Sequence, residues 1–155
     1  MKKAIILFNL GGPDKLENVK PFLFNLFNDP AIINLPTILR YPLAKLISNK
    51  REPVAKKIYQ ELGGSSPILK LTQDQSNALE KNLNKKDLNN THKCFIAMRC
   101  WHPRAEEIIK DVKLYEPDEI ILMPLYPQYS AATSGSSIEE WKNVCKKNNY
   151  TIKTS

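Results

Sequence analysis

The chain has 155 residues, of which 42% are hydrophobic and 25% are charged, and its formal net charge at pH 7 is +7. This length is enough for one domain with a real hydrophobic core, and the composition is ordinary for a soluble globular protein. The longest uninterrupted apolar runs are far too short to span a bilayer, which argues against a membrane-spanning helix.

The N-terminus carries an apolar run at residues 4–8 that predicts a buried strand. A run of about five apolar residues is shorter than a signal-peptide core, so we expect a cytoplasmic protein. Asn9-Leu10-Gly11-Gly12-Pro13 ends the strand, because proline cannot continue the ladder of hydrogen bonds. Helical spacing of apolar residues then predicts a helix that ends at Asn28-Asp29-Pro30, with a capping box at Asp14-x-x-Glu17.

Three helical stretches are predicted within residues 35–83. The first continues to residue 47, and we expect Pro42 to kink or divide it. The second begins at Glu52-Pro53 and ends at Gly63-Gly64. Before the third, Ser65-Ser66-Pro67 predicts a serine cap and a proline in the first turn.

The positive charge is concentrated in residues 36–57, where six basic side chains accompany a single acidic one, Glu52. Such a patch suits nucleic acid, an anionic membrane face or a carboxylate-bearing ligand, and a solvated lysine-rich surface explains it equally well. No nucleic-acid recognition motif accompanies the charge. We therefore expect no nucleic-acid partner.

The second half of the chain alternates strands with helices. After a polar surface loop at residues 82–90, a strand is predicted at 92–98 and a helix from Pro103. A third strand is predicted at 119–123. Strands joined through helices indicate an α/β fold with a parallel sheet.

The last predicted helix starts within residues 133–137 and ends near residue 147, with Ser137-x-x-Glu140 as its capping box. Residues 150–152 predict the first part of a fourth strand. A sheet of this kind rarely finishes on a strand that has barely begun. We therefore expect a fold that is incomplete at its C-terminus.

Two loops lie at the predicted carboxyl ends of strands, where open α/β sheets bind their ligands. One is residues 122–137, which are rich in prolines, tyrosines and hydroxyl groups. The other begins at Arg99, whose guanidinium suits an anionic ligand. His102 in this loop suggests a metal ligand or a general base, but it has no partner at ligand spacing, so a structural role is favoured.

Residues 51–67 provide further candidates for ligand contacts. Arg51 and Tyr59 are eight residues apart, so they share a face if both are helical. Gly63-Gly64-Ser65-Ser66 places amides and hydroxyls at a helix N-terminus, which suits a carboxylate, although ordinary capping explains it equally well. The three cysteines form no Cys-x-x-Cys pair, so neither a zinc site nor a disulfide framework is indicated.

Taken together, these segments resemble the N-terminal half of the ferrochelatases. The loop at residues 122–137 is the most specific part of the resemblance. The matching segments, in family order, are Leu7-Phe8-Asn9-Leu10-Gly11-Gly12-Pro13; Phe22-Leu23-x-x-Leu26-Phe27-x-Asp29; Leu35-Pro36; Lys50-Arg51-x-Pro53; Tyr59; Gly63-Gly64-x-Ser66-Pro67; Thr72-x-x-Gln75; Met98-Arg99; and Leu125-Tyr126-Pro127-Gln128-Tyr129-Ser130 with Thr133-x-Gly135-Ser136-Ser137.

The resemblance implies a Rossmann-like lobe of the type II chelatases, with residues 1–155 supplying the first of two lobes around a porphyrin cleft. The family reaction is the insertion of ferrous iron into a porphyrin in haem biosynthesis, which makes the enzyme a lyase with ferrous iron and porphyrin as substrates. By resemblance, Arg51, Tyr59 and Ser66 hold the porphyrin, and Arg99 and Tyr126 line the cleft. Residues 36–57 match a lip that faces lipid in membrane-associated members, which implies peripheral membrane contact.

The chain also departs from the family pattern. Ala131 occupies the position of an iron–sulfur cysteine in animal members, so no iron–sulfur cluster is expected. The family's catalytic histidine lies beyond the equivalent of Ser155, and neither His92 nor His102 matches it. The resemblance therefore assigns no catalytic or metal-binding residue here, and we expect a truncated chain that is inactive alone, either a split or decaying gene product or an artificially shortened chain. A separately encoded C-terminal lobe is one candidate partner.

Three alternatives to an enzyme lobe remain open. One is a non-enzymatic porphyrin-binding lobe, or the remnant of a split gene. Another is an unrelated nucleotide-binding module, which is disfavoured because no phosphate-binding loop follows the first strand. The third is an inert fragment that exposes an apolar face and aggregates.

Overall fold

The computed structural model describes residues 1–155 and divides into two compact units. The first unit contains residues 1–10 and 70–155, and the second contains residues 11–69. None of the helices combines the length and apolar character needed to cross a membrane.

The first unit is built on a three-stranded parallel sheet in the order β2-β1-β3. The strands are β1 (Lys2–Asn9), β2 (Thr91–Met98) and β3 (Glu119–Pro124). The middle strand is continuously apolar, as a parallel strand covered on both faces must be, and residues 4–8 are at most 1% exposed. The predicted α/β class with a parallel sheet is confirmed, and the three predicted strands lie within the observed ones.

Three helices accompany this sheet: α3 (Ile68–Lys86), α4 (Ala105–Tyr115) and α5 (Ser136–Lys147). The helices α4 and α5 bury their apolar faces with residues of all three strands in a single core. The core residues are Ala4, Ile6, Phe8, Phe95, Ala97, Ala105, Ile108, Ile109, Val112, Ile120, Trp141 and Val144.

Hydrogen bonds from side chains of α3 join this helix to the edge strand β2. The Asn84 side chain accepts from the His92 amide and donates to the His92 carbonyl, both at 2.8 Å. Glu80 accepts from the Cys94 amide at 2.7 Å. Because Asn84 is therefore helical, the prediction of a loop over residues 82–90 is wrong up to Lys86.

The prediction of a fourth strand at residues 150–152 is also wrong. Strand-like pairing occurs instead at residues 153–155, where the Ile120 amide donates to the Lys153 carbonyl and the Ser155 amide donates to the Ile120 carbonyl. The chain leaves α5 through a left-handed residue, Asn149, with φ of 48°. Tyr150 and Ile152 then pack against the core rather than join the sheet.

The predicted capping box at Ser137-x-x-Glu140 does not form. A π-helical turn at Ala131–Gly135 leads directly into α5, so Ser137 lies inside the helix and not at its cap. In the second unit, a 3₁₀ turn at Leu16–Asn18 precedes α1 (Val19–Phe27). There Asp14 accepts a hydrogen bond of 2.7 Å from the Asn18 side chain.

The second unit is a pair of packed helices, α1 and α2 (Thr37–Glu61). The prediction of two separate helices, one up to residue 47 and one from Glu52-Pro53, is wrong, because α2 passes through both Pro42 and Pro53 without interruption. Pro42 therefore does not divide this region. Each proline removes one backbone hydrogen bond, and the remaining bonds, together with packing against α1, keep the 25-residue helix continuous. The predicted end at Gly63-Gly64 is confirmed, since both glycines have φ near +90° and the Gly64 amide donates to the Tyr59 carbonyl.

Candidate functional site

The second unit contains an open groove of about 760 Å³ lined by α1 and α2. This volume is in the range of small-molecule sites. Most of its wall is apolar, and the polar groups are Lys50, Arg51 and Tyr59. The apolar lining residues are Leu23, Leu26, Phe27, Ile47, Val54, Ala55 and Ile58.

Arg51 and Tyr59 lie along this one groove, as expected for residues about two turns apart on the same helix. Arg51 is exposed, so its guanidinium can meet an anionic group from solvent. Tyr59 is half-buried, and burial raises the pKa of its hydroxyl above the ordinary value of 10.0. The phenol is therefore neutral at physiological pH and able to donate a hydrogen bond.

Ser66 lies at the start of α3 and does not line the groove. Its hydroxyl accepts from the Ile68 amide at 3.3 Å, and its own amide donates to the Pro13 carbonyl at 2.8 Å. Gly12 passes so close that a Cβ there would overlap the Ser66 side chain. The serine thus holds the helix start, in line with the expected capping role, and its position depends on Gly12.

In the first unit, Arg99 immediately follows β2 and is largely buried, with 14% of its side chain exposed. Its Nε donates to the Ser136 hydroxyl at 2.6 Å, and its Nη1 lies 3.4 Å from Oε1 of Glu140. Arg104 pairs with the same Glu140 oxygen. Two guanidinium groups therefore share one carboxylate at the carboxyl end of the sheet.

Tyr126 lies just after β3, and its hydroxyl is 2.9 Å from the Ser137 hydroxyl in the first turn of α5. Burial is the main cause that raises the pKa of Tyr126, and Ser137 and Arg99 act in the opposite direction. The tyrosine is thus a neutral hydrogen-bonding group. The first turn of α5 carries the partners of both Tyr126 and Arg99.

The loop that leads from Tyr126 to α5 is closed by its own hydrogen bonds. The Gly135 amide donates to the Ser130 carbonyl at 3.0 Å, and the Ser130 and Thr133 hydroxyls are 2.7 Å apart. Tyr129 is exposed, with 76% of its surface accessible. The polar loop predicted from residues 122–137 is therefore a compact turn at the carboxyl end of β3.

The two histidines lie outside these clusters. His102 is exposed, and its Nδ1 contacts Glu107 of α4 at 2.8 Å, while Glu107 also accepts from the Arg104 amide. His92 is buried, with its Nε2 3.5 Å from Asp87. The chain brings together no group of three or more His, Cys, Asp or Glu side chains suited to a metal ion.

Sequence reasoning missed Lys50, Arg104 and Glu140 as members of these clusters. The capping-box pattern predicts Glu140 at a helix cap, whereas it lies one turn after Ser136 and on the same face of α5. The sequence feature that could have predicted a role for Glu140 was electrostatic. Two arginines at the carboxyl end of one strand need an acidic neighbour if they are to be buried together.

Comparison with known proteins places these observations in one family. A family model described as Ferrochelatase matches residues 2–155. The ferrochelatase of Pelagibacter ubique strain HTCC1062 is 77% identical over the whole of this chain, and that of Wolbachia strain wRi from Drosophila simulans is 60% identical over 95% of it. The ferrochelatase of Phenylobacterium zucineum is 54% identical over 94% of the chain.

The chain spans less than half the length of these relatives, with 45%, 46% and 43% of them covered respectively. The match nevertheless includes both units and every candidate residue, because it extends over residues 2–155. The resemblance found in the sequence motifs is thereby confirmed: this chain belongs to the ferrochelatase family.

Proposed function

We propose that this chain supplies the porphyrin-binding part of a ferrochelatase, the lyase that inserts ferrous iron into a porphyrin in haem biosynthesis. Iron and porphyrin are substrates of that reaction. The contribution of this chain is to bind and orient the porphyrin. Family membership supports the reaction, and the contacts described above support the role in binding.

The groove of the second unit is the observation that carries this proposal. A porphyrin of this pathway is a flat apolar ring with carboxylate side chains, so its site needs apolar walls and a few cationic or hydrogen-bonding groups. The groove has apolar walls of leucine, isoleucine, valine and phenylalanine, with Lys50, Arg51 and Tyr59 among them. Arg51 offers the bidentate donor geometry that suits a carboxylate.

The other proposed contacts follow the same chemistry. Ser66 is proposed to offer its hydroxyl at the N-terminus of α3, where backbone amides also favour a carboxylate. In the first unit, Arg99 and Tyr126 are proposed as porphyrin-binding residues on the family resemblance, one as a cation and the other as a neutral phenol. Together with Arg51 and Tyr59, these residues make up the five porphyrin-binding residues that the family resemblance implies.

An absorbance titration with a dicarboxylate porphyrin tests the binding role directly. The proposal predicts a saturable change of the porphyrin Soret band with one porphyrin per chain. A nucleotide triphosphate titrated in the same way should give no saturable signal. Porphyrin absorbance that stays unchanged up to high chain concentration would remove the basis of the proposal.

An iron-insertion assay separates an enzyme part from a purely binding protein. The chain alone is predicted to insert no ferrous iron above the uncatalysed rate. The remaining part of the Pelagibacter ubique relative, added as a second polypeptide, should restore insertion if this chain is an enzyme part. Porphyrin binding without any restored insertion would favour the non-enzymatic alternative.

We further propose that α2 makes peripheral contact with an anionic membrane. Ile38 and Leu46 are 83% and 64% exposed, and Lys45 lies beside Leu46 on the same helix. Exposed apolar side chains next to lysines favour insertion into the headgroup region of anionic lipids. The partner proposed is thus a lipid surface that this helix touches but does not cross.

Vesicle co-sedimentation tests this contact. The chain should sediment with vesicles that contain anionic lipid, and much less with vesicles of zwitterionic lipid alone. Ile38→Ser together with Leu46→Ser should lower the bound fraction severalfold. Leu88→Ser is the matched control, because Leu88 is 88% exposed but lies outside α2, and its loss should change nothing.

A further inference from the structure

A second, smaller cavity lies between α1 and α2, and it shares no lining residue with the groove described above. Its volume is about 290 Å³. This volume is at the lower limit for small-molecule sites, so the cavity suits part of a larger amphiphilic molecule better than a whole metabolite. The lining residues are Lys20, Pro21, Phe24, Tyr41, Lys45 and Ser48.

Apart from the two lysines and the Tyr41 hydroxyl, this lining offers little to a polar ligand. The rings of Phe24 and Tyr41 meet edge to face, with their centroids 5.1 Å apart. Ser48 is 1% exposed, and its hydroxyl donates its one hydrogen to the Lys45 carbonyl at 3.1 Å. The inner part of the cavity therefore suits hydrocarbon.

The two lysines of the cavity are available to an anion. Lys45 is exposed and takes part in no described ion pair. Lys20 lies 3.9 Å from Glu52, a distance at the outer limit for an ion pair, and Glu52 is held more closely by Lys56 at 2.8 Å. Because both lysines have long flexible stems and border one small cavity, a single phosphate group can lie within reach of both.

An exposed apolar side chain adjoins the cavity on α2. Ile38 lies three residues before Tyr41 and seven before Lys45, so the three share one face of the helix. Ile38 is 83% exposed and Tyr41 is 53% exposed. This face thus carries an apolar side chain suited to acyl chains, a tyrosine suited to the membrane interface and a lysine suited to headgroup phosphate.

We propose that the cavity binds the headgroup region of one anionic phospholipid within a bilayer. Lys20 and Lys45 contact the phosphate, and the Tyr41 ring lies at the level of the headgroups. The first acyl carbons pack against Phe24. A free phosphate ion would leave the apolar lining uncovered, which favours a lipid. The inference rests on the proposed membrane contact of α2, to which it assigns a defined lipid site.

Vesicle co-sedimentation with paired lysine variants tests this site. Lys20→Gln together with Lys45→Gln should weaken binding to vesicles of equal parts phosphatidylglycerol and phosphatidylcholine by about ten- to thirtyfold. The matched control is Lys57→Gln together with Lys81→Gln, which removes the same charge from two exposed lysines that line neither cavity. The control pair should weaken binding about threefold or less, because its charges act only from a distance.

Tyr41→Trp provides a readout that general charge attraction does not change. Phosphatidylglycerol with bromine near the start of its acyl chains should quench the fluorescence of this variant when the chain is fully bound to vesicles. The native Trp101 and Trp141 are 8% and 1% exposed and supply a constant background. Tyr129→Trp is the control, because Tyr129 is 76% exposed but lies outside α2, and it should show no added quenching.

The outcomes separate failure of this inference from failure of the proposed membrane contact. If the unmodified chain does not sediment with anionic vesicles, the membrane contact fails and takes the inference with it. If it sediments but both lysine pairs lose affinity equally, or Tyr41→Trp is quenched no more than Tyr129→Trp, the inference alone fails. Release of the bound chain by inorganic phosphate, beyond that by chloride of equal ionic strength, would assign the cavity to a free anion and overturn the lipid site.

Discussion

Gly12 is the residue on which the position of Ser66 depends most directly. A Cβ at Gly12 would overlap the Ser66 Cβ and Oγ atoms. The Oγ atom could rotate away, but the Cβ atom cannot move without shifting the backbone, and the Ser66 amide is bonded to the Pro13 carbonyl at 2.8 Å. The glycine therefore fixes both the start of α3 and one proposed porphyrin contact.

Gly12→Ala should accordingly lower the free energy of unfolding by about 1–3 kcal/mol, the usual cost of overpacking. It should also weaken porphyrin binding, because Ser66 is displaced. Urea denaturation and porphyrin titration measure the two effects.

Gly63→Ala is the comparison variant for this experiment. Nothing lies within 4 Å of a Cβ at Gly63, so its cost is only the backbone strain of φ at +92°, about 1 kcal/mol. It should reduce stability without reducing porphyrin affinity. A Gly12→Ala chain that binds porphyrin as tightly as the unmodified chain would contradict the role given to Ser66.

At the scale of elements, residues 153–155 are held beside β3 by backbone bonds and by one carboxylate. Glu119 accepts from Lys153 at 3.0 Å, and Lys3 lies 3.9 Å away on β1. The hydrogen bond from Lys153 is the largest cause that lowers the pKa of Glu119 below its ordinary value of 4.5. The carboxylate therefore joins β1, β3 and the terminal segment.

The pH dependence of stability should reveal this link. A lowered pKa in the folded state stabilises the fold above pH 4.5, and that stabilisation is lost as the pH falls through the folded value. Glu119→Gln should thus lower the free energy of unfolding at pH 7, and the difference from the unmodified chain should shrink as the pH falls below 4.5. Urea denaturation at pH 7 and over a series of acidic pH values measures it, and a difference that does not shrink in acid would contradict this assignment.

The elements also show what a sequence alone can predict. The strands at β1, β2 and β3 were predictable because parallel strands covered on both faces are continuously apolar. The continuity of α2 could not be predicted from its own sequence. A proline locally indicates a break in a helix, whereas the packing of α2 against α1 depends on residues outside the helix. The prediction of a strand at residues 150–152 was wrong for a similar reason, since the left-handed residue Asn149 redirects Tyr150 and Ile152 into the core.

The site was partly predictable on the same grounds. Arg51 and Tyr59 could be placed on one face from helical spacing alone, and they line one groove. Glu140 could not be assigned to Arg99, because the two residues are 41 positions apart and meet only when α5 packs at the end of β2. Long-range pairs of charges lack a local sequence signal.

At the scale of the whole molecule, the net charge of +7 favours anionic ligands and surfaces. Both proposed partners, a porphyrin with carboxylate side chains and an anionic lipid surface, match that charge. The second unit contains an apolar groove with cationic groups. The central claim is that this groove holds the porphyrin.

The binding of a dicarboxylate porphyrin to Arg51→Ala, compared with Lys57→Ala, tests this claim most directly. Both variants remove one positive charge from α2, but Arg51 lines the groove and the exposed Lys57 does not. The account predicts a dissociation constant about tenfold higher for Arg51→Ala, as expected for the loss of a charge-assisted hydrogen bond, and an unchanged one for Lys57→Ala. Equal effects of the two variants, or no effect of Arg51→Ala, would contradict it.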